Sequence, residues 1–246
     1  MTAVSIDIKN KAYAGSGANL ARPIISNFKL NLEAGEFVCL VGPSGCGKTT
    51  LLNIIAHLDT HYEGAITSGQ ENQLSSIGYV FQNPRLLPWR SVRQNIELVQ
   101  DGAAKPENID KLLAAMQLSE YQHFYPEQLS LGMSRRVAIT RAFSINPVLL
   151  LMDEPFVSLD APTARQVREL LLGLWQQRPH TVLFVTHDLR EAITLADRLV
   201  FLSASPMQIV SDLKVTIPRD ARADEAAIED FRQELLHQHP AIKQLL

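Results

Sequence analysis

The run Phe37-Val38-Cys39-Leu40-Val41-Gly42-Pro43-Ser44-Gly45-Cys46-Gly47-Lys48-Thr49-Thr50, continuing into Leu51-Leu52-Asn53-Ile54-Ile55-Ala56, decides how this chain is read. Five apolar residues, a glycine-rich loop and a second apolar run with helical spacing predict strand, loop and helix. That context makes GxxxxGK[ST] a phosphate loop. Gly42, Gly45 and Gly47 let successive backbone N–H groups turn inward on an anion. A helix starting near Lys48 adds its positive end. Lys48 brings a point charge to the β- and γ-phosphates of a nucleotide, and the Thr49 hydroxyl can hold Mg²⁺. The plain alternative is an ordinary glycine-rich turn between a strand and a helix, but here every defining position is filled.

The bulk properties narrow the class. A chain of 246 residues suits one large domain, or a core with a sizeable insertion. With 46% hydrophobic and 20% charged residues it can bury an ample core and stay soluble. A net charge of -3 gives no reason to expect a nucleic-acid partner. No apolar run approaches bilayer length and the N-terminus lacks a signal-peptide pattern, so the expected location is cytoplasmic. Cys39 and Cys46 read as a packed strand residue and a small loop residue rather than a disulfide.

Working outward, Ser5–Ile8 and Phe28–Leu32 alternate apolar and polar residues as half-buried strands do. Tyr13 and a loop of Gly15-Ser16-Gly17-Ala18-Asn19 lie between them. Short strands follow at Glu63–Ile66 and Ile77–Phe81, the second delivering Gln82 at its carboxyl end, where open α/β sheets bind ligands. From Asn83 to Ile145 the pattern turns helical, with Ser91 and Gln94 spaced as a capping box and Pro106 opening a second helix. A third helix begins near Ser130. Buried strands return at Val148–Met152, ending in Asp153-Glu154, and at Thr181–Thr186, ending at His187. A helix from Ala161 to Trp175 separates them, and a surface helix from Asp224 to about Leu236 closes the pattern.

Asp153, at the end of a buried strand, is suited to the Mg²⁺ shell, and Glu154 beside it to orienting and polarising an attacking water. A strand-end acidic pair that only caps a turn is the bland alternative. His187 can contact a γ-phosphate or serve structure alone. Gln82 can touch Mg²⁺ and water, or remain a solvated amide.

Taken together, Gly42–Thr49, Gln82, Leu129-Ser130-Leu131-Gly132-Met133, Asp153-Glu154, Ser158-Leu159-Asp160 and His187 fall in an order that resembles the ATP-binding subunits of ABC transporters. Phe81-Gln82 with Leu86-Leu87-Pro88-Trp89, and Asp153–Phe156 with Leu159-Asp160-Ala161, are most similar to the nitrate/sulfonate/taurine importer group. The resemblance implies an α/β fold: a P-loop NTPase core of mainly parallel sheet, an N-terminal antiparallel β portion and an inserted α-helical subdomain. The whole chain, 1–246, would be one domain. Residues 1–82 and 146–217 would form the core, 83–145 the insert and 218–246 a short helical tail.

The same resemblance implies a motor subunit that hydrolyses ATP with Mg²⁺ and powers a separate integral-membrane permease, peripheral on the inner face of the cell membrane. A solute-binding protein would serve the permease indirectly. Two such subunits, copies of one chain or two different ones, would sandwich ATP between the phosphate loop of one (Gly42, Pro43, Ser44, Gly45, Cys46, Gly47, Lys48, Thr49, Thr50) and Ser130 and Gly132 of the other. By this likeness Tyr13 would stack on adenine, with a packing tyrosine as the competing reading. Asp160 would lie at the seam. Thr49, Gln82 and Asp153 would surround Mg²⁺; Glu154, His187, Gln82 and Lys48 would act in hydrolysis. Leu86–Trp89 would lie near the permease, or else anchor the helical insert.

Leu131 departs from the family pattern, which has glycine there, and Ser134-Arg135 departs from the usual Arg-Gln. A branched side chain at 131 is expected to restrict the backbone and add bulk near phosphate. The variant is then tolerated, or slows hydrolysis, or marks a subunit that pairs with a complete partner. Two other functions compete: a soluble ABC-type ATPase outside transport, and a P-loop kinase. The first lacks the coiled-coil insertion, second ATPase domain or basic tract it would be expected to carry. The second gives no account of Ser130–Gly132, Asp160 and His187.

Overall fold

The structure, a computed structural model, describes residues 2–13, 22–69, 74, 76–100 and 106–245. The predicted loop at Gly15–Asn19 lies outside the described residues. In chain order the strands and helices begin with β1 (Thr2–Tyr13), β2 (Arg22–Glu33), β3 (Phe37–Val41), α1 (Lys48–Ile55), β4 (Glu63–Thr67) and β5 (Ile77–Val80). They continue with α2 (Val92–Glu97), α3 (Pro106–Ala115), α4 (Leu131–Ser144), β6 (Leu149–Asp153) and α5 (Ala161–Gln177). The remainder are β7 (Thr181–Thr186), α6 (Leu189–Leu195), β8 (Arg198–Leu202), β9 (Ile209–Lys214), α7 (Glu225–Gln238) and α8 (Pro240–Lys243).

These elements form two compact units, one of Met1–Leu74 with Thr181–Leu246 and one of Ser75–His180. The first holds two sheets. In the antiparallel one, β1 lies between β2 and β4. The alternation at Ser5–Ile8 becomes burial on one face, with Val4, Ile6 and Ile8 inside. Both strands run further than alternation alone indicates, so that Tyr13 pairs with Arg22. In the second sheet β3 pairs in parallel with β7 on one side and β8 on the other, and β9 adds antiparallel to β8. All five residues of β3 and all six of β7 are buried, as strands covered on both faces must be. The edge strand β9 was not anticipated, because its residues alternate between half-buried and exposed and offer little apolar signal.

The second unit is wider than the helical block 83–145. It also contains the parallel pair β5 and β6, and α5. Helix α2 begins with the predicted capping box, Ser91 Oγ accepting from the Gln94 N–H and Gln94 accepting from the Ser91 N–H. Such a cap stabilises a short helix by about 1 kcal/mol. Ser130 caps α4 and Asp160 caps α5 in the same way, accepting from the N–H groups of Met133 and Thr163. Both cysteines are buried and free.

Candidate functional site

In the first unit the candidate residues gather at the carboxyl end of β3. Its last residue, Val41, stands beside Thr186 of β7, so His187 leaves the sheet next to the strand that feeds the phosphate loop. The loop turns at Cys46, whose N–H donates to the Pro43 carbonyl at 3.3 Å. Gly45 and Gly47 have φ of 77° and 113°. At Gly47 glycine is doubly required: a Cβ there would also stand 2.7 Å from Ile24 Cγ2.

Gly47 is the N-cap of α1 and offers no side chain to its N–H groups; no acidic residue occupies the first turn. The positive end of the helix is therefore left for an external anion. Lys48 is buried, and its Nζ donates to the carbonyls of Gly42 at 2.7 Å and Pro43 at 3.0 Å. The ammonium thus braces the loop from inside. Burial pushes the Cys46 thiol up and Lys48 partly offsets it, so the loop cysteine stays a neutral, packed side chain.

Tyr13 is 49% exposed and its hydroxyl shares a 3.3 Å hydrogen bond with Thr50 Oγ1 on α1. Lys11, itself paired with Asp59 at 2.7 Å, lies 4.8 Å from the centre of the Tyr13 ring. The tyrosine is therefore fixed at the rim of the phosphate loop rather than packed in the core.

In the second unit, β5 and β6 are parallel neighbours, with Val80 beside Met152. Gln82 and the Asp153-Glu154 pair consequently leave adjacent strand ends. Asp153 is buried, Glu154 half-buried and Gln82 exposed. Glu154 has a φ of 43° and Ser158 of 65°, left-handed conformations uncommon outside glycine. The Val157 N–H closes a turn onto the Glu154 carbonyl at 3.2 Å.

Ser130, Gly132 and Asp160 are also brought together in this unit, because the start of α4 packs on the start of α5. A Cβ on Gly132 would come within 2.5 Å of Thr163 Cγ2, so this glycine permits the close approach. Leu131 behaves otherwise than expected. It takes ordinary helical backbone in the first turn of α4 and points outward, 42% exposed. The expected backbone restriction therefore has no consequence at this position, since no positive φ is asked of it. Ser130 and Leu131 are exposed at the start of the helix, whereas Gly132 is buried and the Met133 N–H is taken by Ser130 Oγ. Hydrogen bonds from Thr163 hold the Asp160 carboxyl below its usual range.

Sequence reasoning undervalued two groups. Asn95 is fully buried in α2; its side-chain oxygen accepts from the Leu87 N–H, and its amide donates to the Leu87, Arg90 and Ser91 carbonyls. It latches the 86–91 segment and leaves Trp89 70% exposed, so Trp89 does not serve as a buried anchor. Arg135 is buried in α4 and donates to backbone carbonyls of two loops. Its position four residues before Ile139 and seven before Ala142, on an apolar stripe, was the available signal. Among the described residues no cluster of three His, Cys, Asp or Glu side chains could hold a metal, and no helix is long and apolar enough to cross a membrane.

A family profile described as ABC transporter matches residues 25–157. The chain is 38% identical over 241 residues to the aliphatic sulfonates import ATP-binding protein SsuB of Bacillus cereus, covering 96% of this chain and 95% of that one. It is 42% identical over 220 residues to the nitrate import ATP-binding protein NrtD of Synechococcus elongatus, covering 85% and 80%. Among solved structures, the ATP-binding cassette MJ0796, in a dimeric post-hydrolysis state bound to ADP and Pi, is similar with a TM-score of 0.74 and 31% identity. That likeness covers 87% of this chain and 100% of the other.

Proposed function

This chain belongs to the ABC transporter family, and from that premise we propose how its residues divide the work of an ATP-hydrolysing subunit that powers a separate membrane permease. The observation that carries the reading is the phosphate loop: an uncapped helix end, two glycines with positive φ and a buried lysine braced on loop carbonyls. Lys48 and the first N–H groups of α1 bind the phosphates, exchanging loop carbonyls for phosphate oxygens as partners of the ammonium. Tyr13, exposed beside α1, offers its ring to the adenine.

The donor set of Thr49, Gln82 and Asp153, a hydroxyl, an amide oxygen and a carboxylate, suits a hard cation such as Mg²⁺. When bound, the ion neutralises charge building on the phosphate oxygens. Glu154 holds and polarises the attacking water, accepting its proton as the water oxygen bonds to the γ-phosphorus and the bond from that phosphorus to the β–γ bridging oxygen breaks, releasing ADP and phosphate. His187, exposed at the end of β7, donates to a γ-phosphate oxygen. Ser130 and Gly132, at the start of α4, donate to the γ-phosphate held by a second ATPase subunit, with Asp160 at the seam between the two. ATP binding draws the pair together and hydrolysis releases it.

By its likeness to sulfonate and nitrate import subunits, the chain drives uptake of a small solute, from the inner face of the cell membrane. Exposed Trp89, held on its latched segment, is the contact we assign to the permease. The test is an affinity pull-down of the tagged protein from gently solubilised native membranes. A polytopic permease in stoichiometric amount is the expected companion, with a solute-binding protein leading on to the cargo. Recovery of soluble partners alone, under conditions that keep a control transporter intact, would turn the reading to an ABC-type ATPase outside transport.

A further inference from the structure

Arg135 is 3% exposed, and among the described residues no carboxylate pairs with it. Its guanidinium is partnered by backbone alone. One terminal nitrogen donates to the Gln82 carbonyl and, at 3.4 Å, to that of Phe81. The other donates to the Val157 carbonyl at 3.3 Å, and Nε is buried without a hydrogen-bond partner. An interior cation with no counter-charge is a costly way to fill a helix face. Elsewhere on α4, Arg136 and Arg141 also bond carbonyls, but each serves one stretch of chain: Met116–Gln117 for the first, Pro84–Arg85 for the second. Arg135 alone of the three spans two, one following β5 and one following β6.

Those two segments carry residues assigned to hydrolysis. Gln82 is itself one of the carbonyl partners. Val157 closes the turn that begins at Glu154, so fixing the Val157 carbonyl fixes a turn whose first residue sits at a positive φ. A planar fork with several donors can hold two loops at once; an ammonium or an amide of similar length presents a single head.

We propose that Arg135 is a positioning residue that clamps the Gln82 segment to the Glu154–Val157 turn, setting the water-activating carboxylate and the amide in register for hydrolysis. The clamp gives α4, which begins at Ser130, a mechanical hold on both. This inference rests on the hydrolytic roles proposed for Gln82 and Glu154.

The experiment compares full-length wild type with Arg135→Met, Arg135→Lys and Glu154→Gln by ATP turnover, ATP affinity and amide hydrogen exchange. Arg135→Met is expected to lower kcat by about tenfold while KM and ATP affinity change less than about twofold, because the phosphate loop is untouched. Peptides covering 82–86 and 155–159 should both exchange faster, by about fivefold or more, with or without nucleotide. Arg135→Lys, which keeps the cation and one donor head, covers the case in which the methionine variant does not fold. It should lose about threefold in kcat and loosen one segment more than the other. Full turnover in either variant, unchanged exchange in both segments, or ATP affinity lost in step with kcat would overturn the clamp. Glu154→Gln separates the two ideas. If it hydrolyses ATP as fast as wild type, the carboxylate's role fails, whereas the exchange readout judges the clamp by itself.

Discussion

Two loops, each following a buried strand, reach functional geometry by opposite means. The loop after β3 is shaped from within: two glycines at positive φ turn it, and Lys48 folds back onto carbonyls five and six residues earlier. The loop after β6 puts Glu154 and Ser158 in left-handed conformations, each costing about 1–2 kcal/mol relative to the ordinary region. It is held from outside, by a guanidinium on a helix about twenty positions away in sequence. A loop whose task is to surround an anion can be self-supporting. A loop that aims one carboxylate depends on a neighbouring element, and can therefore be adjusted by it.

The sharpest way to break this comparison is to remove the internal brace. Lys48→Ala should reduce ATP turnover by about 100-fold or more and weaken nucleotide binding, since loop support and phosphate charge are lost together. A variant that binds ATP normally by fluorescence titration would show the glycine loop sufficient without its lysine. Next in size are Gly47 and Gly132, two glycines at which an added Cβ would be crowded. Gly47→Ala meets both a positive φ and Ile24, and should lower stability by about 1–3 kcal/mol and impair ATP binding. Gly132→Ala meets only Thr163 Cγ2, so its loss in thermal unfolding should be largely restored by adding Thr163→Ser, which removes that methyl. No such rescue is available at Gly47, where the backbone itself is strained. The smallest effect is expected from Leu131→Gly. The leucine is exposed on ordinary helical backbone, so glycine should cost about 0.5–1 kcal/mol of helix stability and alter turnover by less than about threefold. A large gain in ATP turnover in the assembled complex would make the leucine itself the brake.

The first loop was legible in the sequence because its physics is local: strand, glycines, lysine and helix follow one another, and each residue type states its conformational purpose. The capping box at Ser91 and Gln94 was legible for the same reason. Gln82, Asp153 and His187 could be located at strand ends from apolar runs alone. What escaped is long-range and polar. Nothing in the spacing of Arg135 announces that its partners are carbonyls of residues 82 and 157, because every residue type carries the same backbone acceptor. The extension of β1 to Tyr13 was equally hidden, since pairing with Arg22 depends on a strand partner rather than on alternation. At Leu131 the sequence suggested a conformational penalty, and the helix start at Ser130 removes it by asking nothing unusual of that residue.

The Asn95 latch has a thermodynamic consequence for whatever covers Trp89. One buried carboxamide fastens the chain at Leu87, Arg90 and Ser91, so the backbone under the indole is ordered before any encounter. A partner that closes over Trp89 need restrain only two side-chain torsions, rather than about 1–2 kcal/mol of backbone freedom for each residue of a loose loop. The exposed aromatic is thus a preloaded contact, able to form and break repeatedly with little entropy lost at each docking.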